Sequence, residues 1–228
     1  MAQYSMMNIF PVNFGVINLG EESREMNKRI VQEIYNLKEE EKKMLRTGVG
    51  VYQTTLGVEK RSSLLSQVNQ HIHELLQQYF KDSGVKDLDA LRTENCWFNY
   101  NNDANAYHVP HLHGHGSTVF SYVYYPSSGI LNGKHLSDDQ NLDEEFVMDF
   151  THEPKPGSIS FMDPAYNVKR QIIPRKMRQL PYYALHASIV PREGILVVFP
   201  AYLVHWVTPT HQENFERFSL VGAVNKYD

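Results

Sequence analysis

The spacing of apolar residues divides the chain into two styles. Leu64, Leu65, Val68, Ile72, Leu75, Leu76 and Tyr79 recur at helical intervals and form one apolar face, predicting a helix of about four to five turns. Ser62 or Ser63 is placed to cap its start, and Ser83-Gly84 is a plausible stop. An earlier stripe of Met26, Ile30, Val31, Ile34 and Leu37 predicts a weaker helix, ending in the charged run Glu39 to Lys43. Residues 21 to 83 therefore read as helical cover for something else. After Leu91 the segments become short, β-branched and aromatic, broken by Pro and Gly. Cys96–Asn99, Thr118–Tyr125, Ser158–Phe161, Gly194–Phe199 and Phe218–Val224 read as strands, the pattern of a β-sandwich or barrel. Residues 133 to 156 are polar and acidic and read as a loop insertion, whereas 168 to 178 gather Lys169, Arg170, Arg175, Lys176 and Arg178.

Length and charge narrow the possibilities. The 228 residues suit one domain, with residues 1–91 as a helical part and 92–228 as a β core. A net charge of −4 gives no overall footprint for nucleic acid. Met1 to Phe10 lacks the basic and apolar regions of a signal peptide, and no apolar run is long enough to span a membrane. The single cysteine, Cys96, has no internal partner and fits a reducing cytoplasm. Oligomeric state stays open.

The densest chemical signal is Tyr107-His108-Val109-Pro110-His111-Leu112-His113-Gly114-His115-Gly116. On an extended chain, residues two apart share a face, so His111 with His113, or His113 with His115, can converge on one metal ion. Neutral imidazole binds iron, zinc, copper or nickel. His71-Ile72-His73 has the same spacing but lies on the predicted helix, where the two rings diverge. A distal segment, Gly194 to Phe199, reads as a buried strand that turns at Pro200 and reaches His205. Arg217-Phe218-Ser219 then opens the last strand. A His near a metal, with an Arg a strand further on, suits an ion that also binds an α-keto di-acid, because a guanidinium forks onto a carboxylate.

In this ordered set the chain resembles the 2-oxoglutarate/iron(II) oxygenases common in tailed phages and marine bacteria. The matching pieces are Phe10-Pro11, Trp97-Phe98-Asn99, His111-Leu112-His113, Ser121-Tyr122-Val123-Tyr124-Tyr125, Gly157 with Phe161-Met162-Asp163-Pro164, Gly194 with Phe199-Pro200 and His205, Arg217-Phe218-Ser219, and Asn225. They span nearly the whole chain. The resemblance implies a mainly β protein, a double-stranded β-helix (jelly roll) with N-terminal helices packed outside. It implies iron(II) on His111, His113 and His205, with 2-oxoglutarate as co-substrate held by Arg217 and Ser219. Asn225 is expected near that co-substrate, and Tyr122 and Tyr124, which share a strand face, either line the same cavity or belong to the core. The activity implied is dioxygenase hydroxylation of an unidentified substrate by O2, with release of succinate and CO2. The sequence departs from the fold's usual His-x-Asp/Glu pattern, since a His stands where the carboxylate is expected. The Pro-His-Leu-His match selects His111 and His113, while the distance to Ser121 selects His113 and His115; the first pair is preferred. A cupin-like metal enzyme without a keto acid, and a non-catalytic β-sandwich interaction module, are the alternatives. A zinc hydrolase is disfavoured because no HExxH stands in the chain.

Overall fold

The computed structural model describes residues 12, 14–40, 48–114, 116–138, 140–144, 154–178 and 184–227. In chain order the elements begin with β1 (Gly15–Asn18), α1 (Arg24–Glu40), β2 (Gly48–Val49), β3 (Tyr52–Gln53) and α2 (Ser63–Asp82). The middle of the chain contributes β4 (Leu91–Asn101), β5 (Tyr107–His111), β6 (Thr118–Tyr125), β7 (Ile130–Leu131), β8 (Lys134–His135) and β9 (Ile159–Met162). The last part is α3 (Tyr166–Ile172), β10 (His186–Ile189), β11 (Ile195–Pro200), β12 (His205–Val207) and β13 (Phe215–Lys226).

The strands form two antiparallel sheets. The larger runs β1-β11-β6-β13-β4-β3, with the β7–β8 hairpin attached to β13, and the smaller runs β10-β9-β12-β5-β2. Facing each other, they make the double-stranded β-helix. No helix among the described residues is long and apolar enough to cross a membrane.

The two-residue period of a strand gives each large-sheet strand two functions. One face meets the helices: Cys96, Phe98, Tyr100, Tyr122, Tyr124, Leu196, Val198 and Phe218 pack with Ile30, Ile34, Leu65, Ile72, Leu76 and Phe80. The other face, with Val123, Tyr125, Val197, Phe199 and Val221, turns inward against Ile159, Phe161, Ile189 and Val207 of the small sheet.

The predicted α2 forms as its pattern dictates. The Ser62 hydroxyl accepts from the Leu65 amide at the N-terminus. At the other end Gly84 takes a positive φ of 75°. The amides of Gly84 and Val85 return to the carbonyls of Lys81 and Phe80, the paired bonds of a Schellman stop. The five predicted strands all form, as β4, β6, β9, β11 and β13. The N-terminal part is not purely helical, however, because β1 joins the large sheet and β2 and β3 extend the two sheets. These strands are two to four residues long, too short for alternation to show. The matching Phe10-Pro11 lies outside the described residues, as does part of the acidic insertion.

One irregularity sets which side chains of β4 reach the interior. Opposite β13 the register jumps from Trp97↔Val221 to Glu94↔Ala223, and Asn95 sits at φ 56°. This β-bulge is held by the buried Glu59 carboxylate, which accepts from the amides of Asn95 at 3.2 Å and Cys96 at 3.0 Å. Trp97 and Asn99 consequently point inward while Cys96 and Phe98 face the helices. Replacing Glu59 by Ala orphans the bulge amides, and we expect it to cost about 1–3 kcal/mol of stability. Urea unfolding checks this; an unchanged midpoint would show that the bulge needs no staple.

Candidate metal centre

The inner faces of the two sheets enclose a cavity of about 220 Å³. At one end stand three imidazoles. His205 begins β12 and pairs directly with His111, the last residue of β5. His113 lies two residues past that strand end, where its amide bonds the Ala201 carbonyl at 2.9 Å. One nitrogen from each of the three rings lies within 4.8 Å of the others.

The ring orientations suit metal binding. His205 Nδ1 lies 2.9 Å from the Leu203 carbonyl and His111 Nδ1 lies 2.7 Å from that of Val109. Each Nδ1 therefore donates its hydrogen, leaving the Nε2 lone pair free. His113 Nε2 and His205 Nε2 are 3.1 Å apart. Two imidazoles bonded at right angles to one ion at 2.0–2.1 Å would be roughly 3.0 Å apart. Burial pushes the pKa of His111 down. His205 is pushed down to about 2, by burial first and by its histidine neighbours second. Both are thus neutral ligands near neutral pH.

The rest of the cavity divides by chemistry. Val123, Ile159, Val207 and Val221 form apolar wall, and Arg217, Ser219, Asn99, Tyr125 and His108 supply polar groups. Arg217 is only 6% exposed, and its guanidinium donates to the Gly157 carbonyl at 3.1 Å. Among the described residues no carboxylate pairs with it. Nearby, the Tyr125 hydroxyl and Asn99 Oδ1 are buried, and among the described residues neither has a hydrogen-bond partner. Burial raises the Tyr125 pKa to about 12, so its phenol remains a donor. His108 is pushed down to about 3 by burial and then by the Arg217 charge.

Five sequence-predicted residues therefore meet in one cavity: His111, His113, His205, Arg217 and Ser219. His115 lies outside the described residues. Three other expectations are corrected. Tyr122 and Tyr124 share a face, but it is the face against the helices. Tyr122 contacts Cys96 Sγ at 2.9 Å and Asn69 Oδ1 at 3.2 Å, and Tyr124 bonds Asn27. The alternation instead brings Val123 and Tyr125 to the cavity. Asn225 is eight residues from Arg217 on one strand, about 27 Å away, and bonds Thr118 and Glu94 at 2.7 Å each. Sequence reading missed Tyr125, Asn99 and His108, although strand parity from Val123 was an available signal for the first.

Neither a protein-family model nor a curated protein matches the chain. Solved structures do. A prolyl-4-hydroxylase from Pseudomonas putida aligns with a TM-score of 0.61 at 14% identity, covering 95% of this chain and 94% of that one. The non-heme alpha-ketoglutarate-dependent epimerase SnoN of nogalamycin biosynthesis gives 0.62 at 13%, over 94% and 78%. HygX from Streptomyces hygroscopicus, with nickel and 2-oxoglutarate bound, gives 0.56 at 10%, over 94% and 83%. At such identities the likeness is one of fold, and it agrees with the double-stranded β-helix traced from the strand order.

The buried histidines predict a pH dependence for the metal-free protein. An unfolded chain protonates His108 and His205 near the ordinary value of 6.5, whereas the folded protein resists until about 3 and about 2. The unfolded state thus binds more protons as pH falls, so stability, full above 6.5, declines below it. The slope is about 1.4 kcal/mol per histidine per pH unit, or about 3 kcal/mol for the pair between pH 7.5 and 5.5. Urea unfolding at those two pH values measures the loss, and flat stability would contradict the burial of these rings.

Proposed function

We propose that this chain is a 2-oxoglutarate- and iron(II)-dependent dioxygenase, of the type common in tailed phages and marine bacteria. It would hydroxylate a substrate with O2 and release succinate and CO2. The observation that carries the reading is the buried guanidinium of Arg217, without an anionic partner among the described residues, in the same small cavity as three convergent imidazoles. A buried cation calls for an anion, and a metal beside it calls for a chelate; one keto di-acid meets both demands.

The donor set fits such a metal, since imidazole suits iron, nickel and zinc alike. His111, His113 and His205 would hold it. Iron(II) bound there with the keto acid would supply oxygen activation coupled to decarboxylation. The protein's own part is positional. The Val109 and Leu203 carbonyls fix the tautomers of His111 and His205. Arg217 would fork onto the far carboxylate, and the Tyr125 phenol and Ser219 hydroxyl would donate beside it. The valine and isoleucine wall excludes water and strengthens each of these contacts. A cytoplasmic location belongs to the same proposal and rests on the single unpaired cysteine.

Truncating Arg217 to Ala leaves the far carboxylate buried and unpaired, a loss of roughly 3–5 kcal/mol. We expect 2-oxoglutarate affinity to fall by about a hundredfold or more on that scale, while iron(II) still binds. Anaerobic titration, followed by the visible charge-transfer band and by succinate formation, checks this. Unchanged affinity would remove the keto acid and leave a cupin-like metal enzyme. In a second test, His205→Ala should abolish tight metal binding in equilibrium dialysis.

A further inference from the structure

We infer that the substrate of this site is an anion, which supplies a third negative charge that the loaded cavity requires. The inference rests on the metal and keto-acid reading above and deepens it. All three ligands are imidazoles, and the Nδ1 hydrogens of His111 and His205 are committed to backbone carbonyls, so they bind as neutral groups. A divalent ion on them brings two positive charges, and Arg217 brings a third. A keto di-acid returns two negative charges. Among the described residues no Asp or Glu lines the cavity. One positive charge is then left inside a pocket with a largely apolar wall. A carboxylate among the three ligands would have cancelled it. Leaving a net charge unbalanced in such surroundings is costly, so the occupied site favours one more anion near the metal.

The rim of the barrel points to the same chemistry independently. The Met162 amide bonds the Val204 carbonyl, next to His205, and the Asp163 amide bonds the Leu185 carbonyl. The excursion starting at Asp163 therefore leaves the barrel at the end where His205 and His111 lie. Residues 163–178 carry Lys169, Arg170, Arg175, Lys176 and Arg178 against the single acid Asp163, in a chain whose net charge is −4. Asp163 pairs with Lys169, and the Arg178 guanidinium bonds the carbonyls of Ile173 and Arg170. A segment that leaves this end of the barrel with five cations to one acid would favour anions on that side of an otherwise acidic protein.

The test uses cobalt(II) as a redox-quiet occupant, saturating 2-oxoglutarate and constant ionic strength, with acetate as the anionic probe and acetamide as its neutral counterpart. Acetate should change the visible cobalt spectrum saturably, and acetamide should not. In His113→Asp, where the protein itself supplies the third charge, acetate affinity should fall at least about tenfold, since a unit charge a few ångströms away is worth more than that at an effective dielectric of 20. If that variant does not fold, as judged by circular dichroism, the acetate and acetamide comparison on the parent protein still decides. Equal responses to both probes, no acetate response from a protein that holds cobalt and 2-oxoglutarate, or undiminished acetate affinity in folded His113→Asp would each overturn the inference. Failure of the parent protein to bind cobalt or 2-oxoglutarate at all would instead sink the metal and keto-acid reading.

Discussion

The antiparallel register that sets His205 opposite His111 is the constraint on which the site depends. The two residues are 94 positions apart in the chain, yet they become a direct cross-strand pair between β12 and β5. Cross-strand neighbours on one face stand about 5 Å apart at their Cβ atoms, close enough for their rings to reach one ion. The flanking strand β9 fixes the other side by pairing Phe161 with His205. A slip of one residue in either ladder would send the His205 ring to the outer face of the small sheet and disperse the cluster.

Such a site works against the stability of the fold that holds it. Arg217, His108 and His205 are buried, and among the described residues the Tyr125 hydroxyl and Asn99 Oδ1 have no partner. Each arrangement is unfavourable in an otherwise apolar interior. For Arg217, Tyr125 and Asn99, on strands of the large sheet, the compensation lies on the opposite face, where α1 and α2 cover that sheet with a continuous hydrophobic core. The N-terminal helices are therefore more than decoration, because they stabilise a sheet whose inner surface is tuned for binding.

The parts of this architecture that were legible in the sequence are those with long periodic signals. The α2 stripe and its Ser62 cap, the five main strands, and the positions of His111, His113, His205, Arg217 and Ser219 could all be read from spacing or from ordered motifs. The tyrosines were misassigned because Tyr122, Tyr124 and Tyr125 sit side by side, and aromatic content alone does not say which parity faces inward. The edge strands β1, β2 and β3 escaped because so few residues carry no period. β5 escaped as a strand because Pro110 and its histidines do not look like a β segment, although its extended form was a condition for the metal cluster. The bulge at Asn95 depends on Glu59, a contact between residues far apart in sequence that no local pattern announces.

The division of labour between strand faces has an evolutionary corollary. Along β6 and β13, odd-numbered residues such as Val123, Tyr125, Arg217, Ser219 and Val221 address the cavity, while Tyr122, Tyr124, Phe218 and Leu220 address the helices. Substitutions that reshape what the cavity accepts thus fall on positions that do not touch the helical core. Ligand preference can drift within a lineage while the packing that keeps the barrel folded stays under separate selection.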